Sequence, residues 1–344
     1  MRYKLLGKSG VRVSELALGT MTFGEDWGWG ADYPTSKAIF DRFVEAGGNF
    51  IDTANNYTNG TSERYVGEFI QAERDNFVVA TKYTLRNQSR NTDNMNLGGN
   101  SRKSMMTSVE HSLKNMNTDY IDLLYLHMWD STTPIDEVLR GVDDLVRQGK
   151  VLYFAFSDSP SWVVSAAVTK AESFGWTRPV AMQIPYSVYG RSIEREVLPM
   201  ARHYDLAILP WGLLSGGLLT GKYSKKDSDE PRRQGEVSDA AIEKGDKFVA
   251  LAKEFGYTPS QVAINWVRQQ AGVVIPILGC RTLAQLEDNL GCLDFTLTDE
   301  QMAALNDLAD FKAEFPVDFL TSPTVIDLVH GKEFYELLDN HHTK

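Results

Sequence analysis

Asp52, Tyr57, Lys82 and His127 are the residues whose types and spacing best suit chemistry. Each falls at or just past the C-terminal end of a strand-like run: NFIDTANNY (49–57), NFVVATKY (76–83) and YIDLLYLHM (120–128). In a parallel barrel, side chains from different strand ends converge on one rim. A phenol titrates near ~10, too high for efficient proton transfer at neutrality. A neighbouring ammonium favours phenolate, so Lys82 is expected to lower the pKa of Tyr57, with Asp52 keeping Lys82 charged and oriented. His127 then hydrogen-bonds a carbonyl oxygen lying beside Tyr57. Such a group polarises a C=O and protonates it as a nucleophile arrives. No side chain here is a hydride donor, so the nucleophile must come from a cofactor. Taken singly, Asp52–Lys82 reads as an internal ion pair and His127 as a core histidine. Four such residues on adjacent strand ends favour chemistry.

The elements that must position them alternate along the chain. A hairpin (Tyr3–Leu6, Val11–Ser14) precedes strands expected near 16–19, 49–53, 77–82, 121–127, 151–157, 180–184, 206–211 and 273–278. Helices are expected over 35–46, 62–72, 101–116, 134–148, 160–174, 194–204, 258–271 and 282–291. Several strands lack clean polar–apolar alternation, as strands covered on both faces do. In SERYVGEFI, Tyr65, Val66, Phe69 and Ile70 share one helical face. Pro134, Pro160 and Pro259 fall in first turns, where a missing N–H is harmless. The expected fold is α/β: a (β/α)8 TIM barrel spanning 1–344 as one domain, with an N-terminal β-hairpin, long rim loops and extra C-terminal helices. Insertions at 20–34 and 212–238 follow strand ends and so lie on the catalytic rim. An added helix spans 239–255. A long tail, 311–344, follows a last amphipathic helix at 298–310.

Composition excludes several classes. The net charge of −11 disfavours nucleic acid and anionic membrane as partners. No apolar run reaches the ~18 residues of a membrane span, and the first residues carry no apolar signal core, so export is not expected. Cys280 and Cys292 have no CxxC spacing, which fits a reducing cytoplasm and neither a disulfide framework nor a zinc site. There is no HxH or HExxH, so no metal site is expected; there is no GxSxG, and no GxGxxG follows an early strand. His111 and His203 fall on helices and read as surface or half-buried residues. Trp27, Trp29 and Trp129 are expected to line a carbonyl pocket, with loop packing as the alternative. In GLLSGGLLTGK (212–222) the glycines can bring backbone N–H groups close to a pyrophosphate, with Lys222 adding charge.

The chain resembles the aldo-keto reductases over nearly its whole length. The carrying segments are DTANNYTNGTSE (52–63), ATKY (80–83), LLYLHMWD (123–130), FSDSP (156–160), MQIPYS (182–187), PWGLLSGGLLTGKY (210–223) and PILGCRTLAQLEDNL (276–290). It is most similar to the longer bacterial branch related to potassium-channel β subunits. The resemblance implies reduction of aldehydes and ketones with NADP(H), with Asp52, Tyr57, Lys82 and His127 as the catalytic group. It also implies that Ser157, Asp158 and Gln183 hold the nicotinamide carboxamide and that Trp211 stacks on its ring. Asp158 stands where the family has asparagine; a carboxylate can accept from the carboxamide NH2 but cannot donate to its oxygen. Gly212 and Leu213 replace a serine and a proline, so Gly212 offers only backbone. Gly212, Leu213, Leu214, Gly217 and Lys222 are implied at the pyrophosphate. Arg281 and Gln285 are implied near the adenosine 2′-phosphate and Asn289 at the adenine, with Gly279 also among the implied cofactor-binding residues. An ordinary capped surface helix, with Thr282 as cap or first residue, is the alternative for that segment.

The expected activity is carbonyl reduction of a small molecule by NADPH, with Tyr57 as general acid. An NADP(H)-binding redox sensor or regulatory subunit with little turnover is the competing reading. A metal-dependent isomerase or hydrolase on the same barrel is the third. Monomer and homo-oligomer stay open.

Overall fold

The computed structural model describes residues 1–87, 94–224, 237–309 and 311–339. An antiparallel hairpin, β1 (Tyr3–Leu5) and β2 (Arg12–Ser14), opens the chain. Eight parallel strands follow: β3 (Ala17–Gly19), β4 (Phe50–Asp52), β5 (Val78–Tyr83), β6 (Ile121–Leu126), β7 (Val151–Ser157), β8 (Pro179–Pro185), β9 (Ala207–Trp211) and β10 (Ile277–Gly279). They pair in the order β10-β3-β4-β5-β6-β7-β8-β9. A parallel bridge between Ile208 and Val274 joins the two ends, giving the (β/α)8 barrel that the alternating pattern predicts.

The expected strand over 273–278 divides its pairing. Val274 bridges to β9, whereas Ile277–Gly279 pairs with β3. Pro276 lies between the two. It has no N–H to donate, but its carbonyl accepts from the Ala17 N–H at 2.9 Å. The expected helix over 194–204 is also broken, into a 3-10 turn at Ser192–Glu194 and a helix at Val197–His203.

Helices Tyr33–Glu45, Thr61–Ile70, Arg102–Met116, Ile135–Arg147, Ser161–Phe174, Val197–His203, Pro259–Arg268 and Leu283–Leu290 wrap the strands. Asp32, Ser101 and Thr258 cap three of them through side-chain oxygens. Pro134 and Pro160 stand one position earlier than expected, as N-caps. Two hydrophobic cores result. The larger lies between strands and helices and includes Val66, Phe69 and Ile70. The smaller fills the barrel interior and reaches down to Leu6 and Val13 of the hairpin.

The hairpin seals the end opposite the site. Lys8 N–H donates to the Asp205 carbonyl at 2.8 Å, and Lys4 Nζ donates to the Val274 carbonyl at 2.6 Å. At Gly7 a Cβ would sit 2.1 Å from the Val180 oxygen, so only glycine permits this closeness.

Beyond helices Asp239–Glu254 and Asp299–Leu308 the chain ends in three short helices, Val317–Leu320, Pro323–His330 and Lys332–Tyr335. This tail leaves the β8–β9 connection, where Arg191 and Arg195 both lie over the Phe311 ring. Residues 225–236 of the second insertion and 340–344 of the tail, with His341 and His342, lie outside the described residues. Among the described residues no helix is long and apolar enough to cross a membrane.

Candidate active site

Side chains alternate along a strand, so every second residue faces the barrel axis. The interior core takes Ala17, Phe50, Ala80, Tyr125, Ala155, Ala181, Leu209 and Ile277, one from each barrel strand. Two residues further on, the chain carries Gly19, Asp52, Lys82, His127, Ser157, Gln183, Trp211 and Gly279. All eight strands thus end in an inward layer, and that layer holds Asp52, Lys82, His127, Ser157, Gln183, Trp211 and Gly279 among the candidates.

Lys82 is the centre of it and is fully buried. Its ammonium donates to Asp52 Oδ1 at 2.5 Å, to the Thr53 carbonyl at 2.8 Å and to the Tyr57 hydroxyl at 3.1 Å. Tyr57 comes from the turn Tyr57–Gly60 that follows β4, not from a strand. Its ring lies edge-on to His127, with centroids 5.9 Å apart, and to Trp27 at 6.5 Å. The four expected side chains therefore meet.

The electrostatics correct one expectation. Burial pushes the Tyr57 phenol above its ordinary value; Lys82 pulls it down, but Asp52 and Asp158 push it up again. The Tyr57 phenol is therefore held protonated rather than acidified. Burial works against a charged Lys82, but Asp52 and Tyr57 outweigh it and hold the ammonium charged. Burial raises the Asp52 carboxyl, opposed by Lys82 and by Gln183. Burial, with Lys82 adding to it, drives His127 well below the usual histidine range, so its ring is neutral.

Two contributors escape the sequence reading. Gln183 reaches across the barrel, its Nε2 donating to Asp52 Oδ2 at 2.7 Å, so each carboxylate oxygen has its own donor. Tyr125 presents its ring to the Lys82 ammonium at 5.5 Å. Its place two residues before His127 on one strand was the available signal; nothing local marks Gln183 as a partner of Asp52.

The remaining candidates line the same rim. Ser157 Oγ and His127 Nδ1 are buried without a hydrogen-bond partner among the described residues. Asp158 has φ +39° and accepts from Trp211 Nε1 at 3.2 Å. Trp211 is exposed, and a Cβ added at Gly212 or Gly279 would meet nothing within 4 Å, so this part of the rim is open. Leu213 and Leu214 put their side chains into the outer core. Gly217 has φ +92°, and a Cβ there would lie 2.4 Å from Lys222 Cε. Thr282 caps helix Leu283–Leu290. Gln285 turns back so that its Oε1 accepts the Arg281 N–H at 2.8 Å, while Asn289 is buried. Gln285 and Asn289 therefore differ in exposure although both sit on that helix. The Arg281 guanidinium makes no ion pair among the described residues.

The loop at 20–34 is held at its neck: Gly24 N–H donates to Ala31 at 2.8 Å, and Ala31 N–H to Thr22 at 2.7 Å. It delivers Trp27 to Tyr57 and sets Trp29 against Trp27 at a tilt, with ring centroids 5.7 Å apart. Trp129 packs on the outer core instead. His111 is half-buried and His203 exposed, both on helices and away from this layer. Among the described residues no cluster of three or more metal-ligating side chains occurs.

A barrel whose eight strand ends converge on a Tyr–Lys–Asp–His group defines a class, and sequence comparison agrees. The Aldo/keto reductase family model matches residues 15–310, and the chain belongs to that family. It is thus an oxidoreductase of an NADP(H)-using family. It is 38% identical to norsolorinic acid reductase of Emericella nidulans, over 91% of this chain and 82% of that protein. It is also 38% identical to an NADP(+) aryl-alcohol dehydrogenase of Phanerodontia chrysosporium, over 93% of this chain and 89% of the relative. A norsolorinic acid reductase B of Dothistroma septosporum shares 38% over 95% and 86%. These relatives are fungal, so the expected kinship with a bacterial branch near potassium-channel β subunits finds no support.

Proposed function

We propose that the protein interconverts carbonyls and alcohols with NADP(H), with Tyr57 as the proton donor in the reducing direction. The observation that carries this is the Tyr57 hydroxyl, held by Lys82 at 3.1 Å beside a neutral His127. NADPH, when bound, supplies the hydride. His127 orients the substrate oxygen toward Tyr57. Tyr57 gives that oxygen its proton, and Lys82 steadies the phenolate left behind. Asp52, gripped by Gln183, keeps Lys82 charged and fixed. An alkoxide is far more basic than a phenolate, so a phenol need not be acidified to protonate it.

In this reading Ser157 and Gln183 hold the carboxamide, Trp211 covers the nicotinamide, and the loop from Gly212 to Lys222 takes the pyrophosphate. Ser157's unpartnered hydroxyl and the open space at Gly212 and Gly279 suit such a ligand. The substrate class is aromatic: the Phanerodontia relative is named for aryl alcohols, and Trp27 and Trp29 form an aromatic wall beside Tyr57. The two cysteines are buried thiols, each pushed up by burial to about 12, which suits a cytoplasmic setting. The direct experiment is a panel of aromatic and aliphatic carbonyls followed at the NADPH absorbance band. No turnover with any of them would overturn the reading.

Two further results are expected. Because burial and two carboxylates raise Tyr57, the acid stays loaded at neutral and mildly alkaline pH. Reduction is lost only as pH rises through that raised pKa. The rate of carbonyl reduction at saturating NADPH should hold from neutral through mildly alkaline pH and fall only above the ordinary phenol value of about 10. A decline centred near neutrality would mean that Lys82 dominates after all.

The other concerns the 2′-phosphate. In an acidic chain this group needs local positive charge, and Arg281 stands at the start of a helix with its guanidinium uncommitted among the described residues. Arg281→Ala should weaken NADPH by roughly ten- to a hundredfold and leave NADH nearly unchanged. Equal losses for both in a binding titration would make Arg281 a support of the fold.

A further inference from the structure

The charged groups of the inward layer do not balance. Asp52 and Lys82 neutralise each other at 2.5 Å. Tyr57 keeps its proton and His127 is neutral. Asp158 then remains as a second carboxylate: burial raises it, the Trp211 N–H and Lys82 oppose that, and its charge also reaches Tyr57. It forms no ion pair among the described residues.

Its position is fixed from three sides. The Asp158 N–H donates to the Gln183 carbonyl at 3.1 Å, its own carbonyl accepts the Trp129 N–H at 3.5 Å, and Oδ1 accepts from Trp211 Nε1 at 3.2 Å. The backbone at φ +39° is one that aspartate and asparagine tolerate better than most residues. An indole N–H can only donate, so it holds an acceptor oxygen against the edge of the Trp211 ring. The carboxylate therefore lies beside the open rim, tethered to an exposed aromatic face.

We infer that Asp158 makes this site discriminate between the two redox states of its cofactor, favouring the oxidised form. The inference rests on the proposed placement of the nicotinamide against Trp211. The oxidised nicotinamide ring carries a positive charge and the reduced ring carries none. A fixed carboxylate at the edge of Trp211 attracts the first and gains nothing from the second. A ligand pair with such a differential shifts the equilibrium toward the better-bound member. On the enzyme, the balance between NADPH plus carbonyl and NADP+ plus alcohol therefore shifts toward NADP+, and the residue makes the bound reduced cofactor a stronger hydride donor.

The test is calorimetric titration of the full chain with NADP+ and with NADPH separately, before and after Asp158→Asn. Asparagine keeps an oxygen for Trp211 and suits the same backbone; it removes the charge and turns the other oxygen into an NH2 donor. The ratio of the NADP+ to the NADPH dissociation constant should rise by about five- to tenfold, chiefly through weaker NADP+. Asp158→Ser, which also lacks the charge, should shift the ratio in the same sense. Adenosine 2′,5′-bisphosphate, which has no nicotinamide, should bind wild type and both variants equally. An unchanged ratio overturns the inference. So does a loss shared equally by all three ligands, which would make Asp158 a support of the loop. If wild type binds the bisphosphate but neither dinucleotide responds to Trp211→Phe, the nicotinamide placement itself fails, and that result is distinct from an unchanged ratio.

Discussion

Tyr57→Phe is expected to slow carbonyl reduction by about a hundredfold or more while NADPH binding persists. The substitution removes one oxygen and keeps the ring, and therefore the edge contacts to Trp27 and His127. Lys82 loses one of its three acceptors but keeps Asp52 and the Thr53 carbonyl, so the buried charge stays satisfied. The fold should survive, and a melting curve close to wild type would confirm it. Single-turnover mixing of preloaded enzyme with a carbonyl isolates the chemical step. A rate within a few fold of wild type would remove Tyr57 from the mechanism.

Lys82→Met should abolish measurable turnover and also damage the fold. It removes the cation facing a carboxylate that is only 2% exposed. Breaking a buried pair by deleting one partner costs about 3–5 kcal/mol. The stability loss has a definite pH dependence. Asp52 is already raised by burial, and without Lys82 it rises further. A carboxyl with a raised folded pKa destabilises increasingly as pH climbs from its unfolded value toward its folded one. The variant should therefore melt closest to wild type in mild acid and furthest from it at alkaline pH. Replacing both partners, Asp52→Leu with Lys82→Met, should restore much of the melting temperature and none of the activity. A double variant as unstable as the single would show that the pair supports the barrel itself.

The fold was legible because its strands are covered runs of apolar and β-branched residues separated by amphipathic helices. Asp52, Lys82 and His127 were legible for a geometric reason: each stands two residues beyond an interior side chain of its strand. Three features were not legible, each for its own reason. The direction of the Tyr57 shift depends on burial and on Asp158, which is a hundred residues away in sequence. The Gln183–Asp52 bond spans 131 positions and joins opposite walls of the barrel. The divided pairing around Pro276 follows from one missing N–H, whose effect depends on which neighbours flank it. The segment from Arg281 to Asn289 shows a similar limit. Spacing placed Gln285 and Asn289 on one helix, but not the turn of Gln285 back onto the Arg281 amide.

The plug and the closing strand have a consequence in time. Lys4 meets the Val274 carbonyl across 270 positions, and β3 cannot pair with β10 until residue 279 exists. At roughly 5–20 residues per second, a ribosome takes about 15–55 s to make the intervening chain. Throughout that interval the nascent sheet has an unpaired edge at β3, and the hairpin lacks its contact with Val274. Gln183 and Trp211 have been made by then, and Arg281 follows just after the closing strand. The protein thus acquires its stoppered barrel and its complete rim in the same closing event, and a chain arrested before that event has neither.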